Sequence, residues 1–205
     1  MELEVQSNHL SDYLKSVNTI IDIEHPVVAK KVQEIKHSND NKEEQAKMAF
    51  YYVRDYIEHS FDTKSPKISI SASDTIKNKE GICFAKSHLL ATLLRGLGIP
   101  TGFCYQRVLR KGTIESGYAL HGLNALYLEE HGWFRLDPRG NKEGINSEFN
   151  IEEEQLAYPI REQLGEVDYP QVYTEPLTSV IHAMENSEDC HALFYNRPKK
   201  INNSI

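Results

Sequence analysis

The sequence predicts an α+β fold in which one central helix packs on an antiparallel β-meander. Three observations carry that prediction. Apolar residues recur at helical spacing through the first hundred residues, ending in GICFAKSHLLATLLRGLGIP at 81–100. After Pro100 the apolar period changes from four to two. His131-Gly132 then separates two such runs as a hairpin turn would. Helices first and strands afterwards is the order of an α+β fold, not of alternating βαβ units.

Taken in order, residues 1–60 read as a helical N-terminal part. Leu10, Tyr13, Leu14 and Val17 form a short stripe, His25-Pro26 opens a segment running through Val32 and Ile35, and SNDN at 38–41 is a turn. KEEQAKMAFYYVRDYIEH is the strongest early helix, with Ala46, Ala49, Phe50, Val53 and Ile57 on its buried face and acids in its first turn. His59 and Ser60 read as its solvated end. FDTKSPKISI reads as loop and extended chain, and Ser73 with Asp74 as the cap of a short helix leading to Gly81. In the central helix Ala85, Leu89, Leu93 and Leu97, widened by Leu90 and Leu94, form a broad apolar stripe. Gly96, Gly98 and Pro100 end it.

The meander follows as TGFCYQRVLR, the loop KGTIESG, the long strand YALHGLNALYLEE and the returning strand WFRLD. Cys104 is expected to pack inward and Trp133 to anchor the core. Beyond 140 lies a C-terminal extension: EEEQLAY as a helical turn, GEVDYPQVY as irregular chain or edge strand, PLTSVIHAMENS as a final amphipathic helix, and RPKKINNSI as a frayed end. At 205 residues the whole fits one domain, 1–205, with a core over 74–140.

Composition excludes several functions. Hydrophobic residues at 40% and charged residues at 26% are those of an ordinary globular protein. A net charge of -7 argues against nucleic acid and gives no attraction to anionic membranes. The N-terminus has no signal-peptide pattern and no run reaches membrane-spanning length, so the expectation is a cytoplasmic protein. Three cysteines, Cys83, Cys104 and Cys190, do not make a disulfide framework. With no CxxC, HExxH or DxDxDG, no metal or other cofactor is implied; Cys190-His191 is a single weak pair.

Cys83 falls in the first turn of the central helix. Unpaired N–H groups and the positive end of the helix dipole there favour a thiolate, making the thiol a better nucleophile at neutral pH. The Cys83 amide could form half of an oxyanion hole, and Gly81 would let a substrate backbone approach. On position alone, a thiol packed as a small hydrophobe is the commoner case. A nucleophile needs a base and a group to orient that base. His121, early in the long strand, and Asp137, ending the returning strand, fall at one edge of the predicted sheet. Direct opposition of the two requires a turn centred at residue 129, by a bulge or by a turn at Glu129-Glu130 with an odd residue count. Alone, His121 would be a core histidine and Asp137 a turn former before Pro138. Gln106, in the adjoining strand, is a candidate second oxyanion donor.

GICFAKSHLLATLLRGLGIP, HGLNALYL and WFRLDPRGN together resemble the transglutaminase-like superfamily, a branch of the papain-like thiol enzymes, and RDYIEHSFD, GFCYQR, RGNKEG and GEVDYP resemble a bacterial subgroup of it. The resemblance implies a papain-like core with Cys83 as nucleophile, His121 as base and Asp137 as its orienting acid. Leu123 and Ala125 depart from it, since many members carry an aromatic and an acid there. The implied chemistry is acyl transfer through a thioester on a peptide or protein substrate, ending on water in a cysteine peptidase or amidase, or on an amine in a transglutaminase. A non-catalytic peptide-binding or partner-binding domain is the rival from another class. An oriented base beside a helix-start thiol counts against it. Pocket walls are expected from 111–117 and 138–170.

Overall fold

The computed structural model describes residues 1–201. In chain order the elements are β1 (Glu4–Val5), α1 (Pro26–Ser38), α2 (Lys42–Tyr56), β2 (Glu58–His59), α3 (Ser60–Thr63), α4 (Ala72–Asn78), β3 (Glu80–Gly81) and α5 (Cys83–Gly96). Strands β4 (Thr101–Leu109), β5 (Tyr118–Leu128), β6 (Gly132–Leu136), β7 (Val167–Asp168) and β8 (Gln171–Val172) follow, then α6 (Thr178–Glu185) and α7 (Cys190–Asn196). The fold is α+β, with a four-stranded antiparallel sheet in the order β6-β5-β4-β7.

Local chemistry explains the helix boundaries. Pro26 supplies a preset φ at the start of α1, and the His25 ring accepts from Val27 N at 3.3 Å. The Asn41 side chain caps α2 by accepting from Glu44 N at 3.1 Å. The cap of α4 is Ser71, which accepts from Asp74 N at 3.0 Å, and not Ser73. Three further expectations are corrected. Residues 60–63 form a helical turn, 152–158 hold no helix, and α7 is a helix that periodicity did not reveal. A 3-10 turn replaces the short N-terminal stripe at Leu10–Leu14. Seven residues are too few for an apolar period to stand out in α7.

Helix α5 is buried from Cys83 to Arg95 on all sides, not along one stripe. One flank packs on β4 and β5 and the other on α1, α2 and α4. Leu89, Leu90, Leu93 and Leu94 share a core with Ala49, Phe50 and Val53 of α2 and with Leu126, Phe134 and Leu136 of the sheet. Each fully buried leucine of this kind is worth about 2–5 kcal/mol against alanine. Polar anchors fix the helix at both ends. Asn124 Nδ2 donates to Ser87 O at 3.1 Å and Gly102 O at 3.2 Å. Near the C-terminal end, buried Arg95 donates to the carbonyls of Lys15, Thr101 and Thr174.

The β5–β6 ladder runs from Leu128↔Gly132 to Asn124↔Leu136, which centres the turn on Glu130 and needs no bulge. The turn holds an odd number of residues, Glu129 to His131, and its centre differs by one from the 129 that direct opposition of His121 and Asp137 would require. Asp137 continues this register to a position across from Leu123, two residues from His121. A two-residue offset keeps both side chains on one face as diagonal neighbours.

Candidate active site

The central observation is a chain of contacts at the start of α5. Cys83 is its first residue, and Ile82 gives the helix no side-chain cap. The first backbone bond of the helix is Lys86 N to Ile82 O, so the earlier N–H groups have no intrahelical partner. The Cys83 thiol lies beside the His121 imidazole and the Gly122 N–H, both of which favour its thiolate. His121 Nε2 meets Asp137 Oδ2 at 2.7 Å, which leaves Nδ1 for the sulfur. Cys83, His121 and Asp137 are 2%, 2% and 0% exposed, so their mutual interactions are little screened by water.

Each group is held by its surroundings. Asp137 also accepts from Ala157 N at 3.0 Å and Arg139 N at 3.1 Å. Burial pushes its pKa up, but His121 and these two amides hold it below 3.8. Burial likewise opposes a charged His121, yet Asp137 and Cys83 raise it to about 9. For Cys83, burial disfavours the thiolate, while His121, Arg197 and the Gly122 N–H bring its pKa below 9. Both shifts act toward a thiolate–imidazolium pair.

The other two cysteines differ. Burial pushes Cys104 up to about 12 and Cys190 up to about 11, and all three thiols are free.

Gly81 and Gly122 explain how the sheet and helix approach. A Cβ on Gly81 would lie 2.7 Å from Ala85 Cβ, and one on Gly122 would lie 2.7 Å from Phe84 Cδ1. Gly81 therefore serves the packing of α5, a reason different from the expected approach of a substrate backbone.

Cys83 and His121 open onto a cleft of about 250 Å³. His59, Tyr158, Arg139 and Arg197 line it as well. A larger cleft of about 480 Å³ lies at the other end of α5, around Gly98, Pro100 and the β5–β6 turn, about 20 Å away along the helix. It contains no cysteine.

Sequence reasoning placed His59 on a solvated helix end. It is in fact buried, because β2 pairs in parallel with β3 and sets His59 beside Gly81. Its Nδ1 is buried without a hydrogen-bond partner, and burial keeps the ring neutral. Tyr158 stands edge-on to the His121 ring at 4.8 Å, and its hydroxyl accepts from Arg139 Nε at 3.1 Å. Arg139 in turn grips Asp62 through two bonds of 2.6 and 2.9 Å. Gln106 pairs with His121 across β4–β5 and is buried, but it does not line the cleft. Leu123 and Ala125 pack with Tyr13, Cys104 and Val172, away from the cleft. Cys104 is buried as expected, whereas Trp133 is only half-buried, edge-on to Tyr13 and Tyr127.

The sequence profile described as "Transglutaminase-like superfamily" matches residues 29–138, more than half of the chain. The chain belongs to the transglutaminase-like superfamily. The matched span runs from within α1 to the residue after Asp137, so it covers α5 and the β5–β6 hairpin.

A solved structure with this fold, a "Putative Cysteine Protease" from Cytophaga hutchinsonii, aligns with a TM-score of 0.52 at 18% identity, covering 67% of this chain and 46% of that one. The periplasmic domain of TgpA from Pseudomonas aeruginosa aligns with a TM-score of 0.45 at 16% identity, covering 62% and 45%. The chain thus spans about half the length of these structures. No curated protein matches it.

Among the described residues, no group of three or more His, Cys, Asp or Glu could hold a metal ion. No helix among them is long and apolar enough to cross a membrane.

Proposed function

We propose that this superfamily member is a cysteine peptidase or amidase that works through Cys83, His121 and Asp137. The observation that carries the reading is the arrangement itself: an uncapped helix-start thiol beside an imidazole whose far nitrogen meets a buried carboxylate that two backbone amides also hold. The Cys83 thiolate attacks the carbonyl carbon of a peptide or carboxamide. The Cys83 N–H, at the positive end of α5, stabilises the oxyanion. His121, protonated below about pH 9, gives its Nδ1 proton to the departing amine, leaving a thioester. Neutral His121 then takes a proton from water, which attacks the thioester and releases the acid. Asp137 fixes the tautomer and supports the imidazolium at both stages.

His59 is the better candidate for the second oxyanion donor. Its unpartnered ring nitrogen lies in a residue lining the cleft, whereas Gln106 does not line it. Water is favoured as acceptor over a lysine amine for an electrostatic reason. Arg110, Lys111 and Arg197 line the cleft without an ion-pair partner among the described residues, and they repel an approaching ammonium group.

The test is intact-mass spectrometry of peptide pools containing glutamine and backbone amides, incubated with wild type and Cys83→Ala, with and without an added amine. Cleavage or deamidation that disappears in Cys83→Ala is expected. Amine incorporation would assign a transglutaminase instead. A product-free result on every pool would return the protein to the class of binding domains.

A further inference from the structure

The C-terminal helix brings a buried cation to the cleft, and its part in lowering the Cys83 pKa leaves its hydrogen-bonding fork unused. Arg197 follows α7 and is 8% exposed. Its position is fixed: Pro198 O accepts from Leu120 N at 2.7 Å, next to His121, so the expected fraying does not begin here. Residues 202–205 lie outside the described residues. The guanidinium stands over the edge-on pair of Phe61 and Phe194 rings, 5.0 and 4.9 Å from their centroids. Its Nε donates to Phe194 O at 3.3 Å, while its two terminal nitrogens meet no partner among the described residues.

A desolvated guanidinium is costly unless something neutralises it, and its terminal nitrogens form the fork that grips a carboxylate with two parallel bonds. The protein neutralises its neighbours differently. Arg139 and Lys142 share Asp62, the single acid lining the cleft among the described residues. At the other side of the cleft Arg110 bonds Tyr195 O, and Lys111 stands over the Phe194 and Tyr195 rings. An excess of cations here contrasts with the chain's net charge of -7. The field is local and directed at the cleft.

We infer that the acyl donor carries a carboxylate close to the bond that is cut, and that Arg197 binds it. The inference rests on the hydrolase reading for the word "cut", but the binding it describes does not. The carboxylate is either a glutamate or aspartate side chain or a free chain end. Both present the same planar anion.

Binding is therefore tested apart from turnover, in Cys83→Ala, by fluorescence anisotropy of mixed-sequence hexapeptide pools. One arm compares central glutamate with glutamine, both with amidated ends. The other compares a free with an amidated C-terminus on neutral sequences. A preference of about tenfold or more for the anion is expected in one arm, which identifies the source. It is lost in Arg197→Gln and partly kept in Arg197→Lys, which retains the charge without the fork. No preference in either arm, or one that survives Arg197→Gln, overturns the inference. If the preference stands and no peptide is cleaved in a Cys83-dependent way, the hydrolase reading fails and the anion site remains.

Discussion

The chemistry at residue scale depends on two opposed shifts. Cys83 is lowered and His121 is raised to about 9, and both shifts favour the charged pair over the neutral one. The rate of peptide cleavage is expected to follow a bell whose alkaline limb lies near pH 9, where His121 loses the proton that the leaving amine needs. Asp137→Asn removes the main support of the imidazolium, so that limb moves toward lower pH and kcat falls by about 10²–10⁴. Steady-state rates from pH 5 to 10 check both. His59→Ala is expected to lower kcat by about 10²–10³ with little change in KM, and Gln106→Ala to have the smaller effect. The reverse order would assign the oxyanion donor to Gln106.

Cys83, His121 and Asp137 were legible in sequence because each stands in a local pattern: a helix start, an apolar strand and a strand end. His59, Tyr158 and Arg197 were not. Their nearness to Cys83 comes from a parallel pairing of two short strands, an irregular loop and a seven-residue helix. None of these leaves a periodic trace.

At the scale of elements, α5 and the β4–β5–β6 meander match the expected segments closely, since long periodic runs outweigh local exceptions. Direct opposition of acid and base would have needed a turn centred on 129, whereas the ladder centres it on 130. Diagonal placement works equally well because parity is kept. Short elements were misread where side-chain caps decide the boundary, as with Ser71 against Ser73. Gly81 is where β3 and the start of α5 pack too closely for a side chain. Gly81→Ala forces Ala85 or the helix start to shift by several tenths of an ångström. It is expected to reduce Cys83 reactivity while leaving the far end of α5 intact, which alkylation rates and far-UV circular dichroism together would show. Asn41→Ala, remote from the cleft, tests the opposite case. Loss of the α2 cap costs about 1 kcal/mol in urea unfolding without altering Cys83 reactivity.

For the whole molecule, Arg95 joins the N-terminal segment, the sheet and the 174 region through Lys15, Thr101 and Thr174. Arg95→Met leaves three carbonyls short of a charged donor and is expected to cost about 3 kcal/mol in urea unfolding. Stability also depends on pH through the site. His121 is raised above its ordinary 6.5, so its contribution is complete below 6.5 and is lost as pH rises through the folded value. Asp137 is lowered, so its contribution is present above 3.8 and lost as pH falls through its own folded value. The Cys83 thiol titrates in the opposing sense over the alkaline range. Urea midpoints measured in Cys83→Ala should therefore decline above pH 6.5, and adding His121→Gln should flatten that decline.

The most direct test of the account is the pH dependence of iodoacetamide alkylation at Cys83, followed by peptide mass. Cys104 and Cys190, near 12 and 11, remain silent at neutral pH and act as internal controls. The account predicts that Cys83 is alkylated with a midpoint well below the ordinary thiol value of about 8.5, and that His121→Ala moves it upward. A midpoint at or above 8.5 that is indifferent to His121→Ala would contradict it.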